Sequence, residues 1–133
     1  MFWGASNQRV RIPPAVAKEI EPTVSALPEW LVVQRLAEPL QPQPVTATIG
    51  PGEHEVISLG LELRSDRLVL DEQPARRLAM SLGLAVIGTI GLLLAAKDRG
   101  FLAKIRPELD RLLKVRFFMN QELYDRVLRQ AGE

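Results

Sequence analysis

Short apolar runs alternate along the chain with segments of helical periodicity. Strands are predicted where apolar and β-branched residues run together, at Val10 to Ile12, Trp30 to Leu36, Arg67 to Leu70 and Ala85 to Ile87. Helices are predicted where apolar residues recur at three- and four-residue intervals: Pro14 to Glu21, Gly52 to Leu63, Ala75 to Leu82, Thr89 to Ala96, Arg106 to Val115 and Gln121 to Gln130. This alternation predicts an α/β fold of three layers, with a mostly parallel sheet flanked by helices.

One segment departs from this pattern. Residues 38–52 contain Pro39, Pro42, Pro44 and Pro51 and no apolar periodicity, which indicates an extended loop. We expect this loop to be the most mobile region. No internal repeat or low-complexity tract divides the chain, so residues 1–133 are predicted to form a single domain.

A long uncharged run raises the alternative of a membrane span. Residues Leu78 to Ala96 carry no charge over 19 positions, close to the roughly 20 residues that cross a bilayer. However, Gly83 suits the end of a helix, and Thr89 suits the start of the next one. We therefore interpret the run as a helix end, a strand and a helix start, and expect no membrane span.

Composition narrows the function classes. The chain has 17 Lys and Arg against 16 Asp and Glu, so its net charge of +1 gives no argument for a nucleic-acid partner. It contains no Cys, which excludes thiol catalysis and thiolate zinc sites and fits a reducing compartment. Residues 1–11 lack the pattern of a secretory signal. We expect a cytoplasmic protein.

Four acidic residues are placed to carry chemistry. Asp71 and Glu72 directly follow a predicted strand, and Glu53 and Glu55 lie in the first turn of the helix that leads into that strand. Ligands of open α/β sheets bind beyond the carboxyl ends of the strands, and clustered carboxylates suit Mg²⁺ or Mn²⁺, which can activate water. A helix-dipole partner or a turn residue is the alternative, and spacing alone favours it.

Other polar and aromatic residues have a structural interpretation first. His54, the only histidine, is expected to be solvated rather than a general base. Phe2 and Trp3 are expected to pack on the fold or on a partner. Four arginines are expected either to meet phosphate near the acidic cluster or to form a solvated face: Arg64, Arg67, Arg76 and Arg77.

The order of several short motifs resembles a poorly characterised branch of the PIN-like nuclease family. The motifs are G-x-G-E-x-E-x-I at Gly50 to Ile57, the acidic pair followed by A-R-x-x-A at Asp71 to Ala79, and G-T-x-G-x-L-L at Gly88 to Leu94. I-P-P-A-V at Ile12 to Val16 and E-L-Y-x-R-V-L at Glu122 to Leu128 are similar too. The resemblance covers nearly the whole chain.

This resemblance implies a metal-dependent ribonuclease scaffold. Carried over residue by residue, it gives Glu53 and Asp71 as the catalytic residues and metal ligands, with Glu72 and Glu55 assisting in binding Mg²⁺ or Mn²⁺. It also implies that RNA is the substrate and that the protein is the toxin half of a toxin and antitoxin pair with an antitoxin-like partner. We also expect a homodimer.

The chain departs from the family's pattern at its start. The family opens with a central strand that ends in an Asp, and nothing of that kind precedes Val10. We expect the missing strand to leave its neighbours without backbone partners unless a swapped strand, a partner strand or a rearranged sheet fills the position. Weak or absent nuclease activity follows, and the alternative function is an inactive PIN-like protein that acts through homodimer or partner contacts.

Overall fold

The computed structural model describes residues 2–3, 9–23, 26–38 and 49–133. In these residues the chain forms five short strands and six helices. The strands are β1 (Phe2–Trp3), β2 (Val10–Ile12), β3 (Leu31–Val33), β4 (Leu68–Val69) and β5 (Val86–Ile87). The helices are α1 (Pro14–Ile20), α2 (Pro51–Leu63), α3 (Gln73–Ser81), α4 (Thr89–Asp98), α5 (Arg106–Lys114) and α6 (Gln121–Gln130).

The five strands form one sheet in the order β3-β2-β1-β4-β5. β2 pairs with β3 in parallel, and β4 pairs with β5 in parallel. β1 lies between β2 and β4 and is antiparallel to both. Because β2 and β4 both run opposite to β1, the four strands β2 to β5 all point the same way. They end at one edge of the sheet, here called the carboxyl edge.

The chain forms two compact units, residues 1–88 and 89–133. The first unit contains the sheet and the helices α1 to α3. Its apolar core joins α2 and α3 to β4, and Gly60 of α2 packs so closely on Leu68 that a methyl group there would lie 2.6 Å from a Leu68 side-chain carbon. The buried residues of this core are Val56, Ile57, Leu59, Leu68, Leu70, Ala75 and Ala79.

The second unit consists of α4, α5 and α6 around a separate core. That core is built on buried Ile105, Leu109, Val127 and Leu128. Lys97 joins α4 to the residues that follow α6, since its Nζ lies 2.8 Å from Glu133 Oε2 and 2.6 Å from the Ala131 carbonyl oxygen. The helix α6 begins at Asn120, whose side chain accepts a hydrogen bond from the Leu123 N–H.

The predicted α/β class with parallel strands is confirmed, and each predicted helix is present with its ends shifted by two residues or fewer. The strand predicted from Trp30 to Leu36 is shorter, at Leu31–Val33, and β1 was not predicted. Most of the predicted loop 38–52 lies outside the described residues. Within the described ranges, no helix is both long enough and apolar enough to cross a membrane.

β1 occupies the position that was expected to be vacant. Its two residues take backbone partners on both sides, with Phe2 opposite Arg11 on β2 and opposite Leu68 on β4. The sheet is thus continuous from β3 to β5, with β1 in the central position. The strand in this central position brings no carboxylate with it, because the first acidic residue of the chain is Glu19.

Candidate active site at the carboxyl edge

The carboxyl edge collects the residues that follow the parallel strands. β4 leads into Leu70 and Asp71, and β5 leads into Gly88. The ladder between them runs to this edge, where the Leu70 N–H donates to the Ile87 carbonyl oxygen at 3.0 Å. Asp71 and Gly88 therefore lie on adjacent strand ends, where α/β sheets present ligands.

Asp71 and Arg76 converge on Gly88. A Cβ atom built on Gly88 would lie 2.8 Å from Arg76 Nη1 and 3.2 Å from Asp71 Oδ1. The same Arg76 nitrogen lies 3.5 Å from the Leu70 carbonyl oxygen, so the guanidinium reaches back from α3 to the end of β4. Because residue 88 is a glycine, there is space for this carboxylate and this guanidinium to come together.

Glu72 is the second acidic residue at the end of β4. It is exposed and caps α3 through its backbone, since its carbonyl oxygen accepts a hydrogen bond from the Arg76 N–H at 3.0 Å. Its side chain makes no capping hydrogen bond. The Glu72 carboxylate is thus placed next to Asp71 in the chain without being used to hold the helix start.

Glu53 is engaged at the start of α2. Its Oε2 accepts a hydrogen bond from the Gly50 N–H at 2.8 Å, which satisfies one of the backbone donors that every helix start exposes. This is the side-chain half of a capping box, and Gly50 has no side chain to supply the other half. The structural role considered for Glu53 from the sequence is therefore present.

Glu55 is engaged between two helices. Its Oε2 accepts a hydrogen bond from the Ala15 N–H at 3.1 Å, in the first turn of α1. Since α1 begins directly after β2, this bond places the start of α2 at the carboxyl end of β2. β2 and β4 are separated by β1, a lateral distance of about 10 Å. The four predicted acidic residues thus form two groups, Glu53 and Glu55 at the start of α2 and Asp71 and Glu72 after β4.

These residues do not fit a complete divalent-ion site. Within the described part of the chain, no three side chains of the types His, Cys, Asp and Glu come together in a group that could hold a metal ion. Two of the four candidates, Glu53 and Glu55, already accept backbone hydrogen bonds. The central strand, which separates the two groups, contributes no carboxylate.

His54 does not lie as the sequence suggested. The expectation that its ring is solvated is wrong for Nε2, which is buried and has no hydrogen-bond partner among the described residues. The imidazole lies in the first turn of α2, between two glutamates whose side chains turn to backbone donors instead. A three-residue pattern of acid, histidine and acid could not reveal which of the side chains points inward.

The four arginines separate by position. Arg76 alone is seen at the carboxyl edge, whereas Arg64 ends α2 and Arg67 directly precedes β4, at its amino end. Arg77 is exposed on α3. The sequence offered one signal for Arg76: a Gly immediately after a strand leaves room for a large side chain from a neighbouring element.

Comparison with known families decides the identity of this scaffold. The family model of DUF3368, described as a PIN domain, matches residues 5–133. The chain belongs to the PIN domain family. Searches of curated proteins and of solved structures gave no match.

A PIN domain is in general a nuclease-like scaffold that depends on divalent metal ions. PIN domains commonly bind RNA and act in toxin and antitoxin pairs. In this PIN domain, the carboxyl edge combines an acidic pair, Asp71 and Glu72, with the guanidinium of Arg76. The arrangement is suited to a phosphodiester, because the arginine can contact a phosphate oxygen beside the carboxylates.

Proposed function

We propose that this PIN domain is a ribonuclease scaffold with weak, Mg²⁺- or Mn²⁺-dependent activity centred on Asp71. The observation that supports the proposal is the convergence of Asp71 and Arg76 on Gly88, where the ends of β4 and β5 meet. Glu72, next in the chain, is the second carboxylate of this group. Glu53 and Glu55 form the outer group and contribute mainly by fixing the start of α2 and its contact with α1.

Weak activity is expected because this group, here called the inner group, contains only two carboxylates, those of Asp71 and Glu72. Hard divalent ions bind more tightly as more carboxylates surround them, and the inner group has two. Arg76 is the substrate-binding residue of this group. Its guanidinium, which lies against the Leu70 carbonyl oxygen, can bind and orient a phosphate of the RNA. In this proposal Asp71 would bind the ion, and Arg76 would bind the substrate.

A second candidate function is a non-catalytic interaction protein of the same family. It is favoured by the use of Glu53 and Glu55 as backbone acceptors, a structural role that needs no ion. In this alternative the scaffold acts through a homodimer or an antitoxin-like protein in the cytoplasm, and the carboxyl edge has no catalytic role.

The two functions are separated by Mn²⁺ titration in a calorimeter. Under the nuclease proposal the wild type binds Mn²⁺ weakly, and Asp71→Ala weakens that binding by about tenfold or more because a carboxylate ligand is lost. Asp98→Ala, which removes an exposed aspartate of α4, is the matched control and should bind as the wild type does. Equal and negligible binding by the wild type and Asp71→Ala would leave the interaction protein as the function.

A further inference from the structure

The end of α5 exposes an unusual amount of apolar surface. The segment Leu113–Phe118, here called the α5 turn, contains the two most exposed large apolar side chains described, Val115 at 74% and Phe118 at 90%, together with exposed Leu113. The core of this unit is supplied by other residues, among them Leu109 on the same helix. The exposed side chains of the α5 turn are therefore not needed to hold the unit together.

The α5 turn ends the helix in a Schellman motif. The Phe117 N–H donates to the Leu112 carbonyl oxygen at 3.0 Å, and the Arg116 N–H donates to the Leu113 carbonyl oxygen at 3.2 Å. The residue at the position of Arg116 in this motif is usually glycine, because its φ is positive. Here φ is 64° for an arginine, a conformation that costs energy and that glycine would adopt freely.

The α5 turn is also cationic. Lys114 and Arg116 are exposed, and no acidic residue occurs between Asp110 and Glu122 in the chain. The nearby charges of α5 have partners of their own, since Arg111 pairs with Glu108 at 2.8 Å. Asp110 accepts a hydrogen bond from the Tyr124 hydroxyl at 2.7 Å. Two cations thus alternate with exposed apolar side chains on a single turn.

We propose that the α5 turn is a binding site for single-stranded nucleic acid. Phe118 stacks on a base, and Lys114 and Arg116 contact the adjoining phosphates. Single strands present flat bases beside a regular series of negative charges, which matches an exposed ring flanked by cations. An amphipathic peptide would instead require a groove for apolar residues on successive helical turns, and one turn with an outward ring supplies a face rather than a groove.

This site is separate from the cleavage chemistry proposed above. All its residues lie in the second unit, and its contacts with a nucleic acid need no metal ion. Binding can therefore be measured in EDTA, where a metal-dependent nuclease is silent. A failure of the nuclease proposal leaves this measurement unchanged, and a failure here leaves the Mn²⁺ titration unchanged.

The first test uses a fluorescein-labelled oligouridylate and fluorescence anisotropy in EDTA. Phe118→Ala should weaken binding by about fivefold or more, the lower end of the effect of losing one base–aromatic stack. Phe118→Trp should retain the affinity. Phe101→Ala is the matched control: this ring is 68% exposed, but it precedes α5, whereas the α5 turn follows that helix, which is about 13 Å long.

The second test uses the arginine at positive φ. Arg116→Gly should raise the melting temperature, because glycine relieves the backbone, and should lower the affinity for the oligouridylate. Its plot of log K against log salt should be less steep by about 0.7, the change for one lost phosphate contact to a single strand. Arg64→Gly, at φ 49° at the end of α2, loses the same charge and strain and should leave the affinity unchanged.

Oligothymidylate should show the same pattern as oligouridylate, since stacking and phosphate contacts do not depend on the sugar. The proposal is overturned if Phe118→Ala and Arg116→Gly bind as tightly as the wild type, or if the two controls lose as much. It is also overturned if the oligonucleotides fail to bind while polyglutamate or phosphatidylserine vesicles bind through the α5 turn.

Discussion

At the scale of single residues, two glycines of α2 differ in what a side chain would meet. A Cβ atom on Gly60 would lie 2.6 Å and 3.1 Å from the two methyl carbons of Leu68, which is fully buried. A Cβ atom on Gly52 would lie 2.5 Å from Glu19 Oε1, the far end of an exposed and flexible side chain. The first neighbour is fixed by the core, and the second can move away.

We therefore predict opposite outcomes for the same substitution at these two positions. Gly60→Ala should lower the free energy of unfolding by about 1–3 kcal/mol, the usual cost of overpacking a core. Gly52→Ala should change it by no more than about 0.5 kcal/mol, because the helix propensity of alanine offsets the displacement of Glu19. Urea unfolding followed by circular dichroism measures both, and similar losses in the two variants would contradict the close packing of α2 on β4.

Residue-scale chemistry was the least accessible from the sequence. Glu53 and Glu55 were recognised as acidic residues in a first turn, but the identity of the backbone N–H groups that donate to them depends on where α1 and residue 50 lie in space. The inward position of His54 Nε2 was missed for the same reason. Asp71 was easier to place, because a residue that directly follows a strand must lie at that strand's end.

At the scale of elements, Glu62 fastens the chain that leaves β3 to the body of α2. Its two carboxylate oxygens accept hydrogen bonds from consecutive backbone donors, the Ala37 N–H at 3.0 Å and the Glu38 N–H at 2.6 Å. A carboxylate can accept both bonds at once, whereas a carboxamide has one acceptor oxygen and an NH₂ group that would face the second N–H. The attachment therefore depends on the acid.

Glu62→Gln should lower the free energy of unfolding by about 1 kcal/mol, because one exposed backbone donor loses its partner in the protein. It should also speed hydrogen exchange at the amides of Ala37 and Glu38, which NMR measures residue by residue. Glu72→Gln is the control on α3, since that side chain makes no capping bond, and its effect should stay within about 0.5 kcal/mol. Unchanged exchange at both amides in Glu62→Gln would show that the attachment has no stabilising role.

The elements themselves were largely predictable, and the exceptions have a common cause. Four of the helices repeat their apolar spacing over two or more turns, so α2, α3, α5 and α6 were all identified close to their observed ends. β1 has two residues and no periodicity, and it is a strand because it pairs with β2 and, far along the chain, with Leu68 of β4. Pairing between residues far apart in the chain produces no recognisable pattern in the sequence around either residue.

At the scale of the whole molecule, each unit has its own core. In the second unit, Lys97 and Glu133 form an ion pair that joins α4 to the residues after α6. The hydrogen bond from Lys97, together with bonds from the backbone N–H groups of Ile105 and Arg106, lowers the pKa of Glu133 from its ordinary 4.5 to about 2. A carboxyl group with a lowered pKa in the folded protein stabilises the fold above its unfolded pKa. That stabilisation is lost as pH falls from about 4.5 toward 2.

The predicted consequence is a pH-dependent difference between the wild type and Glu133→Gln. The wild type should have the higher melting temperature at neutral pH, and the two proteins should converge as the pH approaches 2, where Glu133 becomes protonated in the folded state. Combining the substitution with Lys97→Met should reduce the difference at neutral pH, because the main cause of the lowered pKa is then absent. A difference that is constant from pH 7 to pH 2 would contradict this assignment.

Among the described strands, the β3-β2 pair and the β4-β5 pair are joined within the sheet through β1, which consists of Phe2 and Trp3. Without these two residues, β2 and β4 would face each other across an empty lane one strand wide, each with a row of unused donors and acceptors. Such a lane is a template for any extended chain that can enter it.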